Sequence, residues 1–157
     1  MIPTPEHLTA YHEAGHAVIA LSQGRIVQEV SIIPGPQRLG HCGVGKGTAR
    51  KLKDSLETDL LILLAGLAAE ARLAGRYHLP GAAQDLRMAE RLALMRAPNE
   101  RQAQRLLERT LAKVEHLLAE AGIWNAVTAL AEELLRSQRL SGRAARHYYE
   151  LAVAKRS

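Results

Sequence analysis

The spacing of apolar residues along the first half of the chain predicts a helix, a hairpin and a second helix. Thr4 and Pro5 are typical of a helix start and Gly24 of a helix end, so the first helix is predicted over about residues 4–23. Two short runs that mix β-branched and polar residues flank a Pro-Gly-Pro turn, which predicts a hairpin. Leucines at helical spacing then predict a long helix over about residues 49–74, and its apolar second half should lie centrally.

The second half of the chain carries the signals of further helices. One is predicted over about residues 83–96, and Pro98 breaks the chain after it. Asn99 and Gln102 form a capping box for the next helix, and Gly122 is predicted to separate that helix from its successor. The helix after Asn99 has one apolar stripe, made of Leu107, Leu111, Val114, Leu118 and Ala121.

Two last helices are predicted around residues 124–137 and from Ser141, so residues 93–151 are interpreted as a helical bundle. The composition supports a mainly α fold with a small β-hairpin. The apolar residues, 47% of the chain, are mostly Leu and Ala, and there is no Phe. A length of 157 residues fits one domain, predicted over residues 1–157.

Charge and cysteine content exclude several classes of protein. The net charge of +5 is spread along the helices without a nucleic-acid-binding motif, so no nucleic-acid partner is expected. Cys42 is the only cysteine, which rules out an internal disulfide and fits a reducing compartment. There is no signal-peptide pattern, and the longest apolar run is too short to span a bilayer. We therefore predict a cytoplasmic protein.

The segment from His12 to His16 reads His-Glu-Ala-Gly-His and matches the H-E-x-x-H pattern. On a helix, His12 and His16 lie one turn apart on the same face, so both imidazoles can reach one zinc ion. Glu13 lies about 100° around the helix and can instead take a proton from a water held at the metal. The segment predicts one Zn²⁺ per chain.

A catalytic zinc site of this kind needs a third protein ligand. Glu70 interrupts an apolar run, and Asp85 opens a predicted helix, where a carboxylate is favoured in any case. Spacing alone leaves both residues open. The full set of downstream candidates is Glu57, Asp59, Glu70, His78 and Asp85.

Four segments follow one another along the chain: TAYHEAGHAVIAL, VQEVSIIPGPQRLGHCGV, LLAGLAAEARLAG and GAAQDLRMAERLA. In this order they resemble the peptidase domain of the FtsH-type, ATP-dependent zinc proteases, peptidase family M41. The resemblance runs from about Thr9 to Glu150.

The resemblance implies a helical, zincin-like fold and a role for each matched residue. His12, His16 and Asp85 would bind zinc, Glu13 would be the catalytic base, and Glu70 would support a ligand from nearby. A strand would offer its edge to an extended peptide substrate. That strand is formed by Leu39, Gly40, His41, Cys42, Gly43 and Val44.

The expected function is zinc-dependent hydrolysis of peptide bonds in unfolded polypeptides. The sequence has neither the family's ATPase module nor a membrane anchor, so activity is expected to be independent of ATP, alone or beside a separate ATPase or FtsH-type subunit. The resemblance also raises a homo-oligomer as a partner, but the stretch that helps form the family's ring contacts is much shortened here, with LALMRAPNERQA in its place. One alternative is a catalytically silent adaptor or regulator of a full-length relative. Another is a helical interaction protein whose apolar stripe binds a partner helix.

Overall fold

The computed structural model describes residues 2–34, the backbone of 41–45, and residues 55–155. Helices dominate, as predicted. The helices are α1 (Pro5–Ser22), α2 (Ser55–Ala74), α3 (Ala83–Arg96), α4 (Glu100–Leu118), α5 (Ala121–Ser137) and α6 (Gly142–Ala154), with a short 3-10 helix at Pro80–Ala82. The strands are β1 (Ile26–Ser31), β2 (His41–Gly45) and β3 (Arg139–Ser141).

Helix α1 begins and ends where its sequence signals predict. The Thr4 side chain accepts a hydrogen bond from the His7 backbone N–H at 3.1 Å, and Pro5 occupies the first turn. Every residue from 10 to 20 is buried, so the helix lies in the middle of the molecule. It packs against both α2 and α5.

Helix α2 is the second central element, and it lies very close to α1. A Cβ atom added to Gly15 would stand only 2.7 Å from the Ala65 carbonyl oxygen and 2.7 Å from the Ala69 Cβ. Glycine is therefore required at this crossing, where the two backbones approach each other. Residues 64–70 of α2 are all buried, so this part of the helix lies centrally as predicted, whereas Arg72 in its last turn is exposed. The predicted start of this helix, residues 49–54, lies outside the described residues.

The strands form an antiparallel sheet in the order β2-β1-β3. The predicted hairpin is present as β1 and β2, with a register shift between Val27 and Glu29. Strand β3 was not predicted from the sequence. It is three residues long, and its Leu140 pairs with Val30 from the far end of the chain. No local sequence pattern predicts a pairing between residues so far apart in the chain.

The C-terminal helices follow the prediction except at one boundary. Asn99 caps α4 by accepting a hydrogen bond from the Gln102 backbone N–H at 2.9 Å. The expectation that Gly122 separates two helices is wrong, because Gly122 is buried within the first turn of α5. The break falls one turn earlier, where the Trp124 backbone N–H already donates to the Glu120 carbonyl oxygen at 2.9 Å. Among the described residues, no helix combines the length and apolar character needed to cross a membrane.

Candidate metal centre

Helix α1 places two histidines side by side at its buried middle. His12 and His16 are one turn apart, and their Nε2 atoms lie 3.0 Å from each other. The two rings meet edge to face, with centroids 4.7 Å apart. This is the arrangement that the i, i+4 spacing predicts for a helical pair.

Asp85, in the first turn of α3, closes the group on the other side. Its Oδ2 lies 2.9 Å from the His12 Nε2 and 3.0 Å from the His16 Nε2, so the three atoms form a nearly equilateral triangle. Four ligands around zinc at about 2.0–2.1 Å would be about 3.4 Å apart, only slightly wider than this spacing. Two imidazole nitrogens and one carboxylate oxygen are also a donor set that zinc accepts. The residues present therefore fit a zinc ion.

The opposite nitrogen of each histidine has a partner of its own. The His16 Nδ1 donates a hydrogen bond to the Ile62 carbonyl oxygen at 2.6 Å. The His12 Nδ1 forms an ion pair with Glu70, at 3.2 Å from Oε2, although that oxygen is not aligned for a hydrogen bond. Contacts of this kind fix the orientation of a ligand ring and turn its Nε2 toward the metal.

The electrostatics of the triangle favour a positive charge at its centre. Burial alone would lower the pKa of His12, but the neighbouring carboxylates of Asp85 and Glu70 outweigh burial and raise that pKa to about 10. Burial alone would raise the pKa of Asp85, but its hydrogen bonds to His12 and His16 hold that pKa well below its usual range. Asp85 is thus an anion throughout the neutral pH range, which suits a residue that binds a metal cation.

Gly66 of α2 is a site residue that the sequence analysis did not single out. A Cβ atom at this position would lie 2.6 Å from both the His12 Nε2 and the His16 Nε2. Only glycine leaves the two nitrogens where they are. The available signal was a glycine in the interior of a strongly apolar helix, where glycine costs about 1 kcal/mol relative to alanine and therefore needs a reason.

The triangle opens into a cleft of about 1100 Å³, which Glu13 also lines. Glu13 is buried on α1 beside His12. The walls of the cleft come from the N-terminal part of α1, the first half of α2, the 3-10 helix and the length of α3. A chain segment that entered this cleft would meet both the triangle and Glu13.

The other predicted residues are not part of the triangle, although Asp59, Glu70 and His78 line the same cleft. Glu57 pairs with Lys113 at 3.1 Å, and Asp59 pairs with Arg25 at 2.9 Å, so their carboxylates are held by other cations. His78 lines the cleft without joining the group of three ligand atoms. Glu70 lies behind His12, on the side away from Asp85. Residues 41–44 lie in β2, and Leu39 and Gly40 lie outside the described residues.

Comparison with known proteins places this geometry in a family. A model of peptidase family M41 matches residues 2–96, which include the triangle, Glu13 and Glu70. The match ends at the last residue of α3, so the resemblance noted for residues 97–150 stays a prediction.

Three curated relatives are each similar to a part of this chain. The chain is 36% identical over 98 residues to "ATP-dependent zinc metalloprotease FtsH" of Acidothermus cellulolyticus, which is 60% of this chain and 15% of that protein. It is 34% identical over 91 residues to the protein of the same name in Rickettsia bellii, 55% of this chain and 14% of that protein. It is 35% identical over 91 residues to "ATP-dependent zinc metalloprotease YME1 homolog" of Caenorhabditis elegans, 55% of this chain and 13% of that protein. The chain thus matches only a small part of each relative.

Proposed function

The chain belongs to peptidase family M41, and from that premise we propose that it is a zinc-dependent endopeptidase that cleaves unfolded polypeptides. The observation that carries the proposal is the triangle of His12 Nε2, His16 Nε2 and Asp85 Oδ2, with edges of 2.9–3.0 Å. We assign the three zinc ligands to these atoms and one zinc ion to each chain.

Glu70 is assigned a supporting role. Its carboxylate contacts the His12 Nδ1, the nitrogen that points away from Asp85. A carboxylate there holds the ring in place and makes its other nitrogen a better donor to a metal. Glu70 could become a ligand only if it moved to the other side of that ring, which favours Asp85 as the third ligand.

Glu13 is assigned the role of general base and then general acid. When bound, zinc would polarise the scissile carbonyl and make a water molecule more acidic. Glu13 accepts a proton from the attacking water as the new carbon–oxygen bond forms. It then gives that proton to the leaving amine nitrogen as the carbon–nitrogen bond breaks. The buried position of Glu13, in the same cleft as the ligands, supports this assignment.

The substrate is proposed to bind as an extended chain. Among the described residues, β2 is the strand at one edge of the sheet, which supports residues 41–44 as the place where a substrate strand is added. A folded substrate could not enter an edge of this kind. We therefore propose that residues 1–157 hydrolyse already unfolded chains without ATP, and that a separate ATPase or FtsH-type subunit would be needed only to unfold other substrates.

The test combines metal content with turnover. We expect about one zinc per chain by elemental analysis, and cleavage of unfolded casein that a chelator abolishes and added zinc restores. Glu13→Gln should keep its zinc but lose about 10²- to 10⁴-fold in kcat. Glu6→Gln, an exposed change in the first turn of the same helix, is the matched control and should leave both unchanged.

Two outcomes would redirect the assignment. Normal turnover by Glu13→Gln would rule out Glu13 as the base. Stoichiometric zinc without cleavage of any unfolded substrate would indicate the silent adaptor or regulator, and a pull-down of ATPase or membrane-protease subunits would then identify its partner.

A further inference from the structure

The wall of the cleft that α3 provides continues well beyond the metal centre. Met88, Leu92 and Met95 follow Asp85 along the same side of the helix and line the cleft. Met88 is 45% exposed and Met95 is 76% exposed, although both are large apolar side chains. A stripe of exposed, adaptable methionines is typical of a surface that binds apolar groups.

Two arginines border this stripe on its solvent side. Arg87 and Arg91 also line the cleft, one turn apart on α3. Among the described residues, neither guanidinium has an ion pair or a side-chain hydrogen bond. Arg25 shows the contrast, because it lines the same cleft and pairs with Asp59 at 2.9 Å. Like charges one helical turn apart repel each other, so an anion bound between the two guanidiniums would reduce that repulsion.

The dimensions of the wall fit a short stretch of extended chain. From Asp85 to Met95 the helix rises about 15 Å, the length of roughly four to five residues of extended peptide. Leu8 and Leu63 line the cleft as well, from α1 and α2. The cleft therefore offers apolar side chains from three helices and unpaired positive charge along α3.

We propose that the α3 wall, defined as Arg87, Met88, Arg91, Leu92 and Met95, is a specificity site that selects peptide segments carrying a carboxylate next to an apolar side chain. This inference rests on the proposed function for its consequence in cleavage, but the binding itself needs neither zinc nor turnover. The apolar group packs on the methionines, and the carboxylate lies against the two guanidiniums. Arginine suits this role because its planar fork can bind a carboxylate with two hydrogen bonds.

The test measures peptide binding and avoids turnover. Labelled peptides of one apolar sequence carry Glu, Gln or Lys at a single position, with both ends blocked, and a fourth carries Gln and a free C-terminal carboxylate. Fluorescence anisotropy is measured with the zinc-loaded Glu13→Gln protein and with chelator-treated parent protein. We expect the Glu peptide to bind about three- to tenfold tighter than the Gln peptide, and the Lys peptide to bind most weakly, as two partly exposed ion pairs would give.

A pair of double variants assigns the preference to the wall. Arg87→Gln with Arg91→Gln should bring the Glu-to-Gln ratio to about one. Arg101→Gln with Arg105→Gln removes two exposed arginines at the same spacing on α4, outside the cleft, and should keep the ratio. The preference should also weaken at high salt.

The outcomes separate this inference from the peptidase assignment. Equal affinity for all four peptides, or a preference for the carboxylate that survives the Arg87 and Arg91 changes, would overturn the proposal. If only the peptide with the free C-terminal carboxylate binds more tightly, the proposal is supported and the bound anion is the end of the peptide chain. A retained preference in a protein that neither binds zinc nor cleaves would uphold the wall and refute the peptidase proposal.

Discussion

The helices that carry the metal centre and the helices after residue 96 bury different kinds of side chain. Among the described residues, the buried polar and charged side chains lie almost entirely before residue 96, and Thr110 is the exception. Helix α1 buries His12, Glu13 and His16 in its middle, and α2 buries Glu70. Helices α4 to α6 instead bury alanines, leucines and valines on one face and expose charged residues on the other.

The difference indicates that the two regions have different roles. Buried charges and an interior glycine cost stability, and proteins keep such features where function requires them. The second region follows the ordinary rules of an amphipathic bundle, and α5 packs directly against α1. The first region thus carries the proposed metal centre, and the second region supplies apolar surface, from α5, against which α1 packs.

Gly66→Ala should have the largest effect on the first region. The new Cβ would lie 2.6 Å from both ligand nitrogens, which are ends of side chains and can rotate away. The fold should therefore survive while zinc affinity falls by about a thousandfold, a loss of roughly 4 kcal/mol. Competition with a chromophoric chelator measures the affinity, and circular dichroism checks the fold. Ala71→Gly, on the same helix, is the control and should keep zinc affinity; parent-like zinc binding by Gly66→Ala would contradict the geometry.

Leu130→Ala tests the second region in the opposite way. Leu130 is fully buried in α5, so its truncation should lower the free energy of unfolding by about 2–5 kcal/mol. Zinc affinity of the remaining folded protein should stay the same, because no ligand is touched. Chemical denaturation and zinc titration measure the two quantities, with the exposed Leu94→Ala as control. If zinc affinity fell as far as stability, the two regions would not be separable.

Glu70→Gln should have an intermediate effect. It keeps the size of the side chain and removes the charge that faces the His12 Nδ1. Loss of such a supporting carboxylate commonly costs about 10- to 100-fold in metal affinity, less than loss of a ligand. Asp85→Asn, measured by the same competition assay, should therefore weaken zinc binding more. The reverse order would make Glu70 the third ligand.

The smallest effect expected is a pH dependence of the protein stripped of metal by a chelator. The pKa of His12 is raised to about 10, above the value of about 6.5 expected in the unfolded chain. The protonated His12 therefore stabilises the folded protein fully below pH 6.5, and this stabilisation is lost as the pH rises through 10. Melting temperatures measured between pH 6 and pH 10 should fall, and the fall should be smaller in His12→Gln. Parallel curves for the two proteins would show that His12 does not carry this dependence.

Local sequence signals were sufficient for most of the helical fold. Thr4, Pro5 and Asn99 mark helix starts by short-range hydrogen bonding and fixed backbone angles, and the structure has helices beginning where they predict. The helix break predicted at Gly122 was wrong because a glycine ends a helix only where its backbone leaves the helical conformation. Here Gly122 is buried inside α5. Strand β3 was missed because its pairing with β1 joins residues more than a hundred positions apart.

Some residues of the site could be predicted from the sequence and others could not. The i, i+4 spacing was enough to predict the histidine pair, whose Nε2 atoms are 3.0 Å apart. Spacing could not choose between Glu70 and Asp85, since both approach His12 from distant parts of the chain, on opposite nitrogens. The role of Gly66 depends on how closely α2 passes the two rings, which only the packed structure reveals.

The most direct test of the central claim is zinc K-edge X-ray absorption on the Asp85→Cys variant. The parent protein should show only nitrogen and oxygen ligands, at about 2.0–2.2 Å from zinc. Asp85→Cys should add one sulfur ligand at about 2.3 Å, and Glu70→Cys should not. Bound zinc without that sulfur in Asp85→Cys, or a sulfur ligand in Glu70→Cys instead, would contradict the assignment of His12, His16 and Asp85.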